Sequence, residues 1–334
     1  MKEKFTFIDL FCGIGGIRIG MEKAGGRCVF SSDLNKYAQE TYENNFGEIP
    51  EGDITKINEK DIPSFDVLCA GFPCQPFSIS GKQKGFDDVR GTLFFDICRI
   101  VKYHQPKVLF LENVKHIIHH DKGNTLKIIL QNIKDLGYFV EYKILNARDF
   151  GVPQNRERII IIASKNKGFN FDKVKIQQPV YLESILENNT KENFLDKKDY
   201  TLIPKDKINI KDSGLIFIGY RNKNIWKKGI RENTEHLSRV HRQPNRIYSS
   251  SGIHPTIPSQ ETSGRFFIYI PKIDEVRKLT IKECYRLMGF PETYKINKTI
   301  TEAYKQIGNS VCIPMIKELA IEIEEQLLKE SNNA

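Results

Sequence analysis

The amino-acid sequence predicts an α/β fold with a doubly wound, mostly parallel sheet and a second, smaller and irregular domain. Two observations carry this prediction. Short apolar runs alternate with segments of helical periodicity as far as about Lys165, which is typical of strand-helix-strand units. Over 181–269 the alternation is lost, and the chain becomes polar, basic and rich in Asn, Ser and Pro. We therefore expect a first domain at 1–184, a second at 185–279, and a hinge and C-terminal helix at 280–334 that return to the first.

The predicted elements follow one another in a regular order. Strand-like runs end at polar residues, and the helical segments repeat their apolar residues at helical spacing. The predicted strands are 4–10, 28–32, 67–70, 108–111, 139–145 and 158–163. The predicted helices are 17–24, 36–44, 94–102, 125–136, one that begins at Thr280, and a long amphipathic one over 313–328.

Length and composition are those of a globular protein. The chain has 334 residues, 40% hydrophobic and 28% charged, which allows a sizeable core and argues against disorder. No apolar run approaches the roughly 20 residues that cross a bilayer, and no apolar leader precedes the first strand, so we expect a cytoplasmic protein with no membrane partner. The seven cysteines are scattered and form no Cys-x-x-Cys pair. Neither a disulfide framework nor a metal site is predicted.

The net charge of +9 is most concentrated in the second domain. Residues 201–250 contain 11 Lys or Arg and 4 Asp or Glu. This density indicates phosphate contacts, although a solvated lysine-rich surface explains the charge alone equally well. Side chains between the charges can stack on bases or hydrogen-bond to them, which favours nucleic acid. They are Tyr220, Trp226, His241, Gln243, Asn245 and Tyr248.

Cys74 lies in a turn that follows the predicted strand 67–70. The sequence over 71–78 is Gly-Phe-Pro-Cys-Gln-Pro-Phe-Ser, and its two prolines restrict the backbone on both sides of the thiol. An isolated cysteine is most often a small buried hydrophobe. A thiol held just past the carboxyl end of a strand, however, lies where α/β folds place their chemistry. We therefore predict that Cys74 is a nucleophile.

A glycine-rich turn joins the first strand to the first helix. The sequence Asp-Leu-Phe-Cys-Gly-Ile-Gly-Gly over 9–16 allows the backbone to approach a ligand closely. Alone, this turn fits a dinucleotide, a methyl donor or simple packing. Asp33, at the end of the second strand, is placed to accept hydrogen bonds from ribose hydroxyls, and Asp53 could take an adenine amino group.

Other polar residues lie at the ends of later elements. Glu112 follows the strand 108–111, where a carboxylate is either a loop charge or a site group. Strand alternation predicts that Arg156 and Arg158 share one side, and guanidinium groups suit carbonyl and phosphate oxygens. The segment 306–311 is predicted to be a polar turn ahead of the last helix.

Five of these segments occur in the order and spacing of the bacterial cytosine-5 DNA methyltransferases. They are 9–16, 71–78, 112–114, 154–158 and 308–311. The chain resembles this family over nearly its whole length, and most closely its short restriction-modification members of the HhaI type. The resemblance implies a Rossmann-like, S-adenosylmethionine-dependent methyltransferase domain over 1–184 and a target recognition domain over 185–279.

The resemblance also implies catalytic and cofactor-binding residues. Cys74 would add to C6 of a flipped-out cytosine, protonated Glu112 would bond N3, Arg158 would hold O2, and Arg156 would support the loop or the thiolate. Asp33 stands where the family usually has Glu. The residues assigned to S-adenosylmethionine are Phe11, Gly13, Gly15, Gly16, Asp33, Asp53, Ile54, Phe72, Pro73, Leu93 and Asn309.

Two further segments resemble the DNA contacts of the family. Residues 80–86 look like its mobile loop, and 243–250 resemble the recognition loop, in which a Gln fills the vacated stack and an Arg reads guanine. The residues assigned to DNA are Ser78, Ser80, Lys82, Gln243, Arg246, Tyr248 and Thr256. The implied partner is double-stranded DNA, bound at the nucleoid by a monomer at a short target with a guanine beside the cytosine. A cognate restriction endonuclease would be the genetic partner.

Three other functions remain open at this point. A tRNA cytosine-5 methyltransferase would share the fold, although the Cys-Phe-Thr motif usual in those enzymes is not found in the second domain. A non-catalytic DNA-binding regulator would not need the set Cys74, Glu112 and Arg158. A redox or thiol-transfer protein is disfavoured by the lack of a resolving cysteine near Cys74.

Overall fold

A computed structural model of the chain describes residues 3–73, 93–188, 190, 194–222, 233–259 and 267–329. In this part of the chain, no helix combines the length and apolar character needed to cross a membrane. The chain divides into two compact units. The first is drawn from Met1–Leu145, Glu157–Ile176 and Ile313–Ala334, and the second from Asn146–Arg156 and Gln177–Cys312.

The helices and strands of the described residues are numbered here in chain order. The strands are β1 (Phe5–Leu10), β2 (Gly26–Ser32), β3 (Val67–Gly71), β4 (Val108–Val114), β5 (Phe139–Asn146), β6 (Gln154–Asn155), β7 (Glu157–Ser164), β8 (Tyr200–Leu202), β9 (Phe217–Arg221), β10 (Arg246–Ser249), β11 (His254–Pro255), β12 (Phe267–Ile270) and β13 (Glu275–Lys278). The helices are α1 (Gly16–Lys23), α2 (Lys36–Phe46), α3 (Leu93–His104), α4 (Asn124–Asp135), α5 (Ile281–Arg286), α6 (Ile300–Asn309) and α7 (Ile313–Ile323).

The first unit is built on a six-stranded sheet with the order β2-β1-β3-β4-β7-β5. β2, β1, β3 and β4 run parallel, and β7 runs antiparallel to β4. The predicted α/β fold with a mostly parallel sheet is therefore confirmed. Because the carboxyl ends of parallel strands meet at one edge, the residues that follow β1, β2, β3 and β4 gather there. That edge is where the sequence placed its candidate site.

Helices pack on the two faces of this sheet. Ile8 and Leu10 of β1 belong to one apolar cluster with residues of α3 and α4. By strand alternation, Asp9 points to the opposite face, where it lies near Arg18 of α1. The helices α1 and α7 pack closely, since a Cβ on Gly20 would come within 2.5 Å of Ile316.

The second unit contains a five-stranded sheet with the order β13-β12-β10-β9-β8. β10 and β12 are parallel, and the other neighbours are antiparallel. A separate parallel pair joins β6 to β11 through His254 and Gln154. Helix α5 begins with a capping box between Thr280 and Glu283. Glu283 also forms a fully buried ion pair with Arg277, with 2.8 Å between the guanidinium and carboxylate atoms.

Two sequence predictions about the C-terminal region need correction. The segment 306–311 is not a turn over its whole length, because α6 continues through Gln306 to Asn309. The long helix over 313–328 is α-helical only to Ile323 and then widens to a π-helical turn over Glu324–Leu328. Side-chain periodicity over five residues does not distinguish an α-helix from a single π-helical turn.

The domain boundaries at 184 and 279, which separate the methyltransferase domain from the target recognition domain, stay a prediction. The compact units divide at other residues, since Asn146–Arg156 belongs to the second unit. The reason is the pairing of β6 with β11, which ties residues 154–155 to residues 254–255. Two-residue strands carry no periodic signal in a sequence.

Candidate active site

Cys74 follows the end of β3 by three residues and comes directly after the last described residue of this segment, Pro73. Cys74, Ser78, Ser80 and Lys82 lie outside the described residues, so their predicted roles stay predictions. β3 ends at Gly71, and Phe72 is buried immediately after it. Asn113 donates a hydrogen bond from Nδ2 to the carbonyl oxygen of Phe72 at 2.8 Å, and both groups are buried. The backbone two residues before Cys74 is therefore fixed by β4.

Glu112 and Arg158 form an ion pair across β4 and β7. The distance from Arg158 Nε to Glu112 Oε1 is 2.9 Å, and the two side chains are only 13% and 11% exposed. Glu112 lies opposite Ile160 in the register of the two strands. Arg158 is therefore its diagonal neighbour on the same face, within reach of long side chains. The structure brings together these two of the four predicted catalytic residues.

The carboxylate of Glu112 faces the end of β3. Gly71 lies opposite Glu112 in the parallel pairing of β3 and β4. A Cβ at Gly71 would lie 3.6 Å from Glu112 Oε2, which is ordinary van der Waals contact. The Glu112 carboxylate thus lies beside Gly71, which is three residues before the predicted nucleophile in the chain.

Arg156 has partners different from those of Arg158. Its guanidinium donates to the carbonyl oxygens of Ile257, Gly308 and Ser310 at 3.2, 3.0 and 2.6 Å. The prediction that the two arginines share one side is wrong, because it assumed one continuous strand. β7 begins at Glu157, so Arg156 lies outside its alternation. Through these contacts, Arg156 joins separate backbone segments of the second unit.

The glycine-rich turn between β1 and α1 has a strained backbone. Phe11, Gly13 and Gly15 all have positive φ angles, of 57°, 55° and 76°. A Cβ at Gly15 would come within 2.3 Å of the Phe46 ring, whereas nothing lies within 4 Å of a Cβ position at Gly13. Gly15 is thus required by packing and by φ. At Gly13 the backbone is open to a ligand.

Asp33 holds this turn in place. Its Oδ2 accepts a hydrogen bond from the Gly13 N–H at 2.8 Å, and its Oδ1 accepts one from the Asn35 N–H at 2.8 Å. Burial raises the pKa of Asp33, and these two backbone bonds oppose the rise. Each carboxylate oxygen can accept a further hydrogen bond. The predicted contact with a ribose is therefore compatible with the observed ones.

Asp53 lies on the segment that follows the edge of β2. Glu51 bridges to Ser32, and the Asp33 N–H donates to the Glu51 carbonyl at 2.9 Å. Asp53 accepts hydrogen bonds from the N–H and hydroxyl of Thr55, which lower its pKa. Asp53 therefore has a local capping role in addition to the predicted contact with adenine.

The remaining predicted cofactor residues lie in different environments. Ile54 and Phe72 are buried in the apolar cluster of the first unit, and Leu93 packs against that cluster. Pro73 is exposed, and Gly16 is buried at the start of α1. Asn309 ends α6 in the second unit and is exposed. Contact of these residues with a cofactor stays a prediction.

Asp9 is a polar residue of β1 to which sequence reasoning assigned no role. It is fully buried, and neither carboxylate oxygen has a hydrogen-bond partner within normal geometry. Burial raises its pKa to about 8 and outweighs the opposing charge of Arg18. An acidic residue inside the apolar run Phe-Thr-Phe-Ile-Asp-Leu was the available signal.

Six of the seven cysteines are described, and all six are buried. Burial raises the pKa of Cys28 and Cys98 to about 12, and raises that of Cys12 and Cys69 well above the ordinary value. A thiol that stays protonated is a poor nucleophile. These four cysteines therefore act as core residues. Among the described residues, no group of three or more His, Cys, Asp or Glu could hold a metal ion.

The predicted DNA-contacting residues of the second unit differ in exposure. Gln243 is exposed in a short turn, and Arg246 is half-buried at the start of β10. Tyr248 is buried against Phe217, so its ring belongs to the core of this unit. Thr256 donates its hydroxyl hydrogen to the Asn155 carbonyl at 2.7 Å. Of the basic segment 201–250, residues 223–232 lie outside the described part.

Structural comparison shows the fold of the chain. DNMT2 from Spodoptera frugiperda has a TM-score of 0.66 at 20% identity, over 94% of this chain and 98% of that one. The Entamoeba histolytica methyltransferase EhMeth has a TM-score of 0.68 at 20% identity, over 98% of this chain and 99% of that one. At this identity the likeness concerns the fold alone.

Sequence comparison shows the family. The chain is 43% identical to Type II methyltransferase M.HhaI of Haemophilus parahaemolyticus, over 96% of this chain and 94% of that protein. It is 45% identical to M.HpaII of Haemophilus parainfluenzae, over 98% of this chain and 91% of that protein. The model of the C-5 cytosine-specific DNA methylase family matches residues 5–325. The chain therefore belongs to this family and is a DNA (cytosine-5-)-methyltransferase.

Proposed function

We propose that the chain transfers a methyl group from S-adenosylmethionine to C5 of a flipped-out cytosine in a short, specific duplex DNA site. The reaction would proceed through a covalent bond between Cys74 and C6 of the base. The observation that carries this proposal is the Glu112–Arg158 ion pair, which lies beside Gly71 at the end of β3. Family membership supports methyl transfer to cytosine, and this pair supports the roles of individual residues.

The chemistry explains why a nucleophile is needed. C5 of cytosine is a poor nucleophile, and addition of a thiolate at C6 converts the ring into an enamine-like form. Covalent catalysis thus replaces one difficult step by two easier ones. The S–C6 bond would form first, and C5 would then take the methyl group as the bond from that methyl to the sulfonium sulfur of S-adenosylmethionine breaks, which releases S-adenosylhomocysteine. The C5 proton leaves to a base, the S–C6 bond breaks, and the Cys74 thiolate is released.

Glu112 and Arg158 would hold the pyrimidine during this sequence. We propose that Arg158 donates to O2 and that protonated Glu112 donates to N3, so that charge developing on the ring is stabilised. Without a bound base, Glu112 is paired with Arg158. As the base enters, Arg158 would turn to O2 and Glu112 would take up a proton from water. We assign Arg156 to supporting the loop or the thiolate. Its observed hydrogen bonds are to backbone carbonyls of the second unit.

The residues of the first unit fit S-adenosylmethionine, the methyl donor of this family. Bound S-adenosylmethionine would supply an electrophilic methyl group. Gly13 leaves the backbone open to a ligand, and Asp33 has free acceptor capacity for ribose hydroxyls. Asp53 would accept from the adenine amino group, and the buried Ile54 would pack beside the adenine ring. The rest of the proposed set in this unit is Phe11, Gly15, Gly16, Phe72, Pro73 and Leu93. The assignment of Asn309, which belongs to the second unit, stays a prediction.

The second unit would select the DNA target. Because the reacting atoms lie inside the base stack, the cytosine must leave it, at a cost of a few kcal/mol. We propose that Gln243 fills the vacated space and that Arg246 reads a guanine edge. Relatives named as Type II methyltransferases support a role in DNA modification within a restriction-modification system. The protein would act in the cytoplasm, on nucleoid DNA, as a monomer.

One assay separates this function from the alternatives. Incorporation of tritiated methyl groups from S-adenosylmethionine is measured with duplex DNA, with tRNA and with neither. The proposal requires label in duplex DNA, at C5 of cytosine, and bisulfite sequencing of DNA from expressing cells then gives the target. Label in tRNA alone would identify a tRNA methyltransferase. Binding of duplex DNA without label would identify a non-catalytic regulator.

A further inference from the structure

The ring of His241 is held between aromatic side chains of the second unit. It stacks on the ring of Tyr220 with the centroids 4.0 Å apart and the planes 16° from parallel. The ring of Phe217 lies 5.6 Å away on the same strand, β9. His241 is only 6% exposed. Its side chain is therefore part of the core beneath the turn that carries Gln243.

A hydrogen bond fixes the rotation of this ring. His241 Nε2 lies 2.8 Å from the carbonyl oxygen of Glu235. A carbonyl only accepts hydrogen bonds, so Nε2 carries the proton. Burial lowers the pKa of His241, and the nearby charge of Arg246 acts in the same direction. The ring therefore stays neutral at physiological pH, stacked on one side and hydrogen-bonded at its edge.

The backbone of His241 in turn holds Arg246. The carbonyl oxygen of His241 accepts a hydrogen bond from Arg246 Nε at 3.0 Å. Arg246 lies opposite Tyr220 in the antiparallel register of β9 and β10. The three residues thus form a closed arrangement. His241 stacks on Tyr220, Tyr220 pairs with Arg246, and Arg246 bonds back to His241.

The Tyr248 hydroxyl also hydrogen-bonds to the Arg246 side chain. With Nε engaged, the two Nη groups of the planar guanidinium fork carry four N–H donors, more than one hydroxyl can occupy, so donors remain for recognition. A bidentate contact with O6 and N7 of guanine needs such a fork in a fixed direction. Fixing the guanidinium before binding also avoids part of the cost of ordering a long side chain.

We propose that His241 is a positioning residue for base recognition, which fixes the guanidinium of Arg246 through its ring stack on Tyr220 and its backbone carbonyl. The inference rests on the proposed function, in which Arg246 reads a guanine. His241 does not touch the DNA base in this account. It acts on specificity through Arg246, and it has no part in the chemistry at Cys74.

The experiment measures methylation by the full-length protein on duplex oligonucleotides that contain the target and each single-base variant of it. The variants are R246A, H241A, H241F, Y220A, Y220F and the double variant H241A/R246A. H236A is the control, because it removes a neighbouring histidine that takes no part in the stack. The quantity compared is the ratio of kcat/KM on the target to kcat/KM on each variant site.

We expect R246A to lower this ratio by about 5- to 100-fold at one base position. H241A and Y220A should lower it at the same position by about tenfold, whereas H236A keeps the wild-type ratio. H241F and Y220F, which keep the stacked rings, should retain most of the discrimination. H241A should add nothing to R246A in the double variant, because both act through one guanidinium.

Two results would overturn the inference, and they are distinguishable. If R246A relaxes one position and H241A lowers the rate on all oligonucleotides by one common factor, His241 is merely structural, and the proposed role of Arg246 stands. If R246A itself relaxes no position, the role of Arg246 is wrong and the inference falls with it. Should H241A fail to fold, the comparison of Y220A with Y220F decides between these outcomes in the same way.

Discussion

Glu112 of β4 and Arg158 of β7 are joined by an ion pair of 2.9 Å in a nearly solvent-free position. A partly buried pair of this kind contributes little net stability, because desolvation offsets the attraction. Its position at the carboxyl edge of the sheet, beside the segment that leads to Cys74, is the position that the proposed mechanism requires. In the proposed mechanism, the two side chains separate when a base enters, and each then hydrogen-bonds to the polar edge of the pyrimidine.

The first prediction concerns E112Q. The amide still reaches N3 but cannot deliver a proton, so we expect kcat to fall by about 10²- to 10⁴-fold with little change in DNA affinity. Single-turnover methylation gives the rate, and a fluorescence-anisotropy titration gives the affinity. E157Q is the matched control, because Glu157 of β7, next to Arg158, forms an exposed ion pair with Lys115. A loss of DNA affinity with an unchanged rate in the bound complex would make Glu112 structural.

The second prediction concerns C74S. A hydroxyl of similar size fits the same space but is seldom ionised at neutral pH, so methyl transfer should be lost while DNA and cofactor binding remain. C98S is the control, since Cys98 is a buried core residue. Methylation by C74S within tenfold of the wild-type rate would exclude Cys74 as the nucleophile.

The third prediction contrasts two glycines of one turn. G13A and G15A each place a Cβ at a positive φ, which costs about 1 to 2 kcal/mol. G15A also drives that Cβ into the Phe46 ring, so it should destabilise the protein more than G13A does. F46A should recover part of the loss in the G15A background. Denaturant unfolding measures these differences, and equal losses in G13A and G15A would contradict the packing account.

The same pair tests the cofactor site. Gly13 faces open space in the protein, so a Cβ there should weaken S-adenosylmethionine binding, measured by calorimetry, with only the backbone cost to stability. Wild-type affinity in G13A would show that the cofactor does not approach this backbone.

The fourth prediction is a pH dependence of stability. The pKa of Asp9 is about 8 in the folded protein and 3.8 ordinarily. Between these values the unfolded chain loses the Asp9 proton and the folded chain keeps it, so Asp9 makes stability fall as pH rises from about 4 to about 8. D9N cannot titrate at this position. As pH rises through this range, the free energy of unfolding of D9N should therefore increase relative to that of the wild type by about 1.4 kcal/mol per pH unit. Denaturant unfolding at three pH values tests this, and parallel curves would contradict it.

Much of the fold could be predicted from the sequence, because its strands are short apolar runs and its helices repeat their apolar residues at helical spacing. The six strands of the large sheet and the residues at their ends were identifiable from apolar runs that stop at Asp33, Gly71 and Glu112. The rule that parallel strands share a carboxyl edge then placed these residues together. The pairing of Glu112 with Arg158 required the antiparallel direction of β7, which periodicity does not give.

Other features depend on contacts between residues far apart in sequence. Arg156 binds carbonyls of Gly308 and Ser310, about 150 positions away, and no local pattern signals such a contact. His241 was recognisable as a residue that can stack, but its support of Arg246 follows from the register of β9 and β10.

The covalent bond between Cys74 and the target cytosine is the central step of the proposed mechanism. A duplex that carries 5-fluorocytosine at the methylated position tests it, because fluorine at C5 cannot leave as a proton does and the adduct cannot resolve. With S-adenosylmethionine, the wild type should form a complex that survives denaturing electrophoresis, and mass spectrometry should find the methylated base on the peptide of Cys74. C74S should form none. If the wild type fails to trap under conditions in which it methylates ordinary cytosine, the adduct mechanism is wrong.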